Sequence, residues 1–382
     1  MENALKKANA IKDYIIKIRH ELHRHPEPAF KETWTHDFIE KQLKELGYKP
    51  RTLNKTGLIA DIGKGKKRTA LRADMDALPI EEKTSVPYNS QNKGFMHACG
   101  HDTHMSMLLG TAKLLSEKKN PPPVRLLFQP SEEKTPGGAK GMIEEEALKG
   151  VTEIYAIHIE PETEVGIITL KPGVMLAAAD EMEIILKGKG GHAAEPHKTV
   201  DPIYASALFI NQIQGLVSRK ADPKSPFVIS VCTINGGTAF NIIPEKVRMK
   251  GTVRTISHEL WQKAPEWIGD ILKGLNISSG IDYELIYQRG YPILKNDPQK
   301  TENLIKIAKN IFKNIEIMES PIMGGEDFAY YLQEVPGTFV FLGGANKKKG
   351  IISKLHTANF NIDENALPLG TALLYSLATK HN

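Results

Sequence analysis

An α/β fold in two domains, one inserted into the other, is what this 382-residue sequence predicts. Three observations lead there. In the first part of the chain short apolar runs alternate with helical periodicities, the rhythm of a largely parallel sheet with helices on both faces. From about Glu181 the order becomes β-α-β-β-α-β, the split βαβ (ferredoxin-like) arrangement and about one small domain in length. Near the C-terminus the first rhythm returns, so the outer segments close into one domain around the insert. The expected boundaries are 1–179 with 293–382 for the outer domain and 180–292 for the inserted one.

Each element follows from local pattern. Ile11, Tyr14, Ile15, Ile18 and Leu22 recur at helical spacing until Pro26 stops the run, and Phe38, Ile39, Leu43 and Leu46 form a second amphipathic helix that Gly47 can close. Strands are expected at Thr69 to Arg72, Val124 to Phe128 and Ile154 to His158, with a helix from Thr103 to Leu115 after the first. In the insert the strands fall at Glu181 to Leu186, Phe227 to Ile234, Lys246 to Thr252 and Tyr283 to Tyr287, and the helices at Pro202 to Leu216 and Ser257 to Leu275. A helix at Glu302 to Phe312, a strand at Thr338 to Leu342 and an amphipathic helix from Glu364 to Thr379 complete the outer domain.

Composition removes whole classes of function. The net charge of +5 is spread among interleaved acids and bases with no long basic block, which argues against a nucleic-acid partner. No run of eighteen apolar residues exists and the N-terminal stretch lacks the apolar core of a signal peptide, so neither membrane spanning nor export is expected. Two cysteines, Cys99 and Cys232, cannot staple a fold of this size, and the expected compartment is the cytoplasm.

The chemistry collects at strand ends. Three outer-domain strands run into ionisable residues: Asp74 and Asp76 after the first, Glu132 and Glu133 after the second, His158 at the end of the third. In open α/β sheets, ligands bind beyond the carboxyl ends of strands, so these groups should meet in one crevice. Between the first two strands, Met96 to His104 packs three His, one Cys and one Asp into nine residues, the donor types of zinc and its first-row neighbours. Adjacent Glu132 and Glu133 point different ways, so one can bind a metal while the other moves protons. Cys99 with His101 or His97 as base would instead make a thiol hydrolase; that reading leaves the glutamate pair unused. A non-catalytic metal-binding homologue is the third possibility.

Seven motifs in order carry a resemblance. They are Arg-Ala-Asp-Met-Asp-Ala-Leu-Pro at 72–79, Met-His-Ala-Cys-Gly-His-Asp at 96–102, Gln-Pro-Ser-Glu-Glu at 129–133, Gly-Gly-His-Ala-Ala-Glu-Pro-His at 190–197, Asn-Ile-Ile-Pro at 241–244, Gly-Gly-Glu-Asp-Phe at 324–328 and Leu-His-Thr-Ala-Asn-Phe at 355–360. Over residues 15–375 the chain resembles the aminoacylase/carboxypeptidase family of metallopeptidases. The nearest branch is that of N-acyl-amino-acid amidohydrolases, hippurate hydrolases, auxin-conjugate hydrolases and archaeal carboxypeptidases. The resemblance implies a metallopeptidase-type α/β catalytic domain with an inserted lid and dimerisation domain. It implies Cys99, His101, Glu133, His158 and His356 as ligands of two divalent metal ions, zinc foremost, with manganese, cobalt or nickel as alternatives. Cys99 takes the place of the aspartate that bridges the metals in more distant carboxypeptidases. Glu132 becomes the proton shuttle and Asp74 an orienting acid behind the site. His192 would polarise the scissile carbonyl in a partner subunit, which requires a homodimer or higher homo-oligomer, while His197 is structural. Asn241 and Arg254 would hold the carboxylate of an N-acyl amino acid or peptide substrate, an arginine being able to do so through two parallel hydrogen bonds.

Overall fold

The computed structural model describes residues 4–380; residues 1–3 and 381–382, at the ends of the expected outer domain, lie outside it. The chain divides into two units. One runs to Met175 and resumes at Lys295–Ser320 and from Asp327; the other comprises Leu176–Leu294 and Pro321–Glu326. The boundaries expected at 180 and 292 leave out that last short segment. It joins the second unit through backbone bonds, the Ala177 amide donating to the carbonyls of Ile322 and Gly324 at 3.0 Å. Six residues without periodicity carry no sequence signal for such a contact.

The first unit is built on an eight-stranded sheet. Its order is Arg51–Leu53, Gly57–Ile62, Val124–Gln129, Arg68–Asp74, Val151–Glu164, Gly337–Ala345, Ile167–Leu170, Asn314–Ile317. The four central strands, 124–129, 68–74, 151–164 and 337–345, are mutually parallel, and antiparallel pairs lie outside them. Strand 124–129 is buried at every position and 337–345 likewise, the pattern of a sheet covered on both faces. Helix Lys12–Arg24 buries Ile15, Ile18 and Leu22, and helix Thr33–Glu45 buries Ile39 and Leu43, so the predicted apolar stripes are the packed ones.

Helix His101–Ser116 is buried on nearly every residue and packs between helix 12–24, the C-terminal helix Ala366–Thr379 and the sheet. It starts two residues earlier than its periodicity indicated, because Gly100 turns the chain into it with φ +81°, a conformation that costs glycine nothing. A Cβ on Gly100 would also meet Ile159 Cγ2 at 2.2 Å. The turn therefore brings Cys99 and His101 directly against strand 151–164.

The second unit is a four-stranded antiparallel sheet in the order Phe227–Gly236, Lys246–Thr255, Ala178–Lys187, Asp282–Tyr291, with helices Pro202–Gly215 and His258–Ser279. This is the β-α-β-β-α-β order. Asp201 caps the first helix by accepting from the amides of Ile203 and Tyr204, with Pro202 at the first helical position, and Ser257 caps the second. Leu260, Ala264, Ile268, Leu272 and Leu275 form the buried stripe of the longer helix and pack on Met182, Ile184 and Leu186. No helix among the described residues is long and apolar enough to cross a membrane.

Candidate metal centre

Seven of the ten predicted site residues meet in the first unit, at the carboxyl ends of the parallel strands. Two donor groups form, each with its ligand atoms within 4.8 Å of one another: Cys99, His101 and His158, and Cys99, Glu133 and His356. Cys99 belongs to both. Its Sγ lies 3.3 Å from His158 Nε2 and 3.4 Å from His356 Nε2. A further group joins His101, Glu132 and Glu133. Glu132 is 7% exposed, while the His356 side chain is half exposed at 52%.

The imidazoles are oriented from behind. His101 Nδ1 donates to the Asp76 carbonyl at 2.8 Å and His158 Nδ1 to the Ile159 carbonyl at 2.8 Å, so both rings turn Nε2 toward the cluster. This outer bond is what metal-bound histidines characteristically make. His101 Nε2 is buried without a hydrogen-bond partner among the described residues, 3.8 Å from Asp74 Oδ2 and 3.9 Å from Glu133 Oε1. A buried nitrogen aimed at a thiol and carboxylates fits a divalent cation, and the sulfur, nitrogen and oxygen donors fit zinc and its neighbours.

The electrostatics agree. Burial, with Glu133, Glu132 and Asp74 nearby, pushes the Cys99 thiol well above its ordinary value. Burial would lower His101, but the carboxylates of Asp74, Asp76 and Glu133 hold it up at about 10. Burial and the His104 ring keep His158 neutral. Burial would raise Glu133, but His356 and His101 hold its carboxyl below the usual range. The cluster thus retains protons that a cation would displace.

Asp74, the orienting acid implied by the resemblance, lies behind the cluster, 3.8 Å from His101 Nε2. It accepts from Arg72 Nη1 and His104 Nδ1, each at 2.5 Å, and His104 Nε2 accepts from the Ile159 amide at 2.8 Å. Through His104 it also reaches the backbone beside His158. The residue that touches the ligand loop is Asp76: Oδ1 accepts from the Glu132 amide at 2.8 Å and Oδ2 from the Glu133 amide at 3.0 Å. Sequence reading placed Asp76 among the strand-end groups and His104 and Asp327 within motifs, but gave none of the three a role. Asp327 ties Arg72 and Gln129 together at 2.8 and 2.7 Å. The available signals were the Asp-x-Asp spacing at 74 and 76 and the His101/His104 pair, three apart on one helix face.

His192, Asn241 and Arg254 lie in the second unit. His192 pairs with Ile242 in a two-stranded ladder, and the Ala193 amide donates to the Asn241 carbonyl at 3.0 Å, so His192 and Asn241 share one exposed loop pair. Arg254 is on strand 246–255, its Nε donating to Thr252 Oγ1 at 3.2 Å. His197, in the short turn Pro196–Lys198, is exposed.

Donors of this kind over the ends of parallel strands, with a carboxylate beside them, have the make-up of a metal-dependent hydrolase. The chain belongs to Peptidase family M20/M25/M40, whose sequence model matches residues 70–380. A thermostable carboxypeptidase of Saccharolobus solfataricus is 40% identical over 97% of this chain and 96% of its own length. An N-acetyl-L-cysteine deacetylase of Bacillus subtilis is 39% identical over 97% of this chain and 89% of its own. The crystal structure of a dinuclear metal-binding peptidase from Bacillus subtilis matches with a TM-score of 0.82 at 34% identity, over 97% of this chain and 98% of that one. The motif resemblance is borne out, and the chain is a hydrolase of amide bonds.

Asp76→Asn tests the loop geometry. An amide group would offer one acceptor where two backbone N–H groups need one each, and an uncompensated buried donor costs about 1–3 kcal/mol. Urea unfolding should show a loss of that size together with weaker metal retention in a chelator competition; unchanged values for both would contradict the role given to Asp76.

Proposed function

We propose that the substrate is an N-acyl amino acid, or a short peptide cut at its C-terminal bond, and that Cys99, His101, Glu133, His158 and His356 hold two divalent ions. The observation that carries this reading is the membership of Cys99 Sγ in both donor groups with Glu132 alongside. The donor set favours zinc. Bound there, a divalent ion supplies Lewis acidity, which can lower the pKa of water from about 15.7 to near 7.

The chain's own residues do the rest. Glu132 takes a proton from the attacking water as its oxygen bonds the carbonyl carbon. The same carboxyl then gives that proton to the amine nitrogen as the C–N bond breaks, a role worth about 10² to 10⁴ in rate. His192 of a second subunit donates to the carbonyl oxygen as charge develops there. Asn241 and Arg254 are assigned to the substrate's carboxylate. The edge strand Phe227–Gly236, with Val228 and Ile234 exposed and Ile203 and Tyr204 exposed on the neighbouring helix, supports a homodimer formed by a second copy. The site of action is assigned to the cytoplasm, in keeping with the two cysteines, too few for an oxidised framework.

A thiol-nucleophile reading is disfavoured on physical grounds. Burial and three carboxylates keep Cys99 protonated, and burial pushes His97 down to about 3, which makes it a poor base.

Glu132→Gln should retain bound metal and lose about 10² to 10⁴ in kcat, and chelation should abolish turnover of a panel of N-acyl amino acids and dipeptides. Turnover surviving in Glu132→Gln would contradict the shuttle, and survival in chelator would restore the thiol reading. Mixing inactive Glu132→Gln and His192→Ala subunits tests action across subunits. Random exchange should recover roughly a quarter of wild-type activity if His192 serves its neighbour, and none if it serves its own chain.

A further inference from the structure

Glu32 stands just ahead of helix 33–45, fully buried, and no step assigned above uses it. Its carboxylate is nevertheless fully engaged. Oε1 accepts from the backbone amides of Phe30 and Ser131, each at 2.9 Å, and Oε2 accepts from the Thr56 hydroxyl at 2.6 Å. Phe30 and Ser131 share an unusual property: their φ angles are +60° and +53°, in the left-handed region that residues bearing a Cβ rarely occupy. One buried oxygen thus satisfies the amides of two left-handed residues far apart in sequence.

Ser131 directly precedes Glu132, and its carbonyl accepts from the Gly138 amide at 2.8 Å. With Asp76 receiving the next two amides, the backbone from 131 to 133 is held at three successive N–H groups. A return of Ser131 to the right-handed region would swing the Cα–Cβ bonds of Glu132 and Glu133 away from the donors around His101. Strained backbone of this kind persists only where its surroundings over-determine it.

We propose that Glu32 is a positioning residue for the hydrolysis: by accepting from the Ser131 amide it holds that residue left-handed and so aims Glu132 at the reacting water. The inference rests on the assignment of Glu132 as proton shuttle. The contact needs an acceptor oxygen, not a negative charge. Burial pushes Glu32 up to about 7, and in either protonation state one oxygen keeps its lone pairs for Phe30 and Ser131. A carboxamide can do the same, with its Nε2 donating to Thr56 Oγ1 in place of the bond reversed.

Glu32→Ala in the metal-loaded enzyme should lower kcat by about tenfold to a hundredfold, the size expected when a reacting group is misplaced by about an ångström. KM and bound metal should stay within about twofold, and amide hydrogen exchange should speed up in the peptide covering 131–133. Glu32→Gln should restore both readouts. An unchanged exchange rate, an unchanged kcat, or failure of Glu32→Gln to rescue would each overturn the proposal. If Glu32→Ala does not fold, Ser131→Gly supplies a second route. Glycine adopts φ +53° without strain, so adding Glu32→Ala to Ser131→Gly should lower kcat by about threefold or less relative to Ser131→Gly alone; a loss of about tenfold or more overturns the proposal. Turnover persisting in Glu132→Gln would overturn the shuttle assignment and with it the aim given to Glu32, whereas unchanged exchange at 131–133 in Glu32→Ala, which is read whichever side chain moves the proton, would overturn the positioning by Glu32 alone.

Discussion

Three successive backbone amides, those of Ser131, Glu132 and Glu133, are received by two buried carboxylates, Glu32 and Asp76, and the rest of the centre depends on that constraint. Burying an ion costs several kcal/mol unless its lone pairs are met. Here backbone N–H groups meet them, and the same bonds hold the loop that presents Glu132 and Glu133. Asp76 also receives His101 Nδ1 through its carbonyl, so one residue sets the direction of a proposed ligand, the proposed proton shuttle and the second carboxylate together.

Beneath this lies a second polar chain, Asp327 to Arg72 to Asp74 to His104, ending at the Ile159 amide beside His158. Burial would raise Asp74, but His101, Arg72 and His104 hold it well below the usual range. The two networks leave the donor atoms themselves, Cys99 Sγ and the Nε2 atoms of His101 and His158, pointing inward over a rigid sheet. His101 is placed by a helix and His158 by a strand, while Cys99, Glu133 and His356 stand on turns, of which the 131–133 loop is fixed by hydrogen bonds to Glu32 and Asp76. Carboxylates that would repel a thiolate become favourable neighbours once divalent charge is present, and the raised thiol and imidazole protons are what such charge would replace.

Much of this was legible in the residues. Alternating apolar runs marked the central strands and the β-α-β-β-α-β order of the second unit, because both depend on local periodicity. The strands 51–53, 57–62, 167–170 and 314–317, which flank the four central ones, escaped, since pairing of runs of three to six residues is decided by tertiary neighbours. The proposed ligands fell in motifs whose donor types identify themselves: a Cys two residues from a His, a glutamate pair after a strand. The role of Asp76, and Glu32 altogether, did not announce themselves, because their work is to accept from backbone amides, and a carboxylate that does so is written no differently from one on the surface. Ser131 is the sharper case, for nothing in a serine predicts φ +53°. Only the acceptor waiting across the fold makes that conformation tenable.

The central claim, that five side chains hold two cations with Cys99 common to both, is tested most directly by metal stoichiometry. Chelator-stripped protein reloaded with cobalt should bind two ions per chain and show a thiolate-to-cobalt charge-transfer band that disappears in Cys99→Ala, with retention of both ions weakened in that variant. Binding of a single ion, or two ions held undiminished with no thiolate band, would contradict the account.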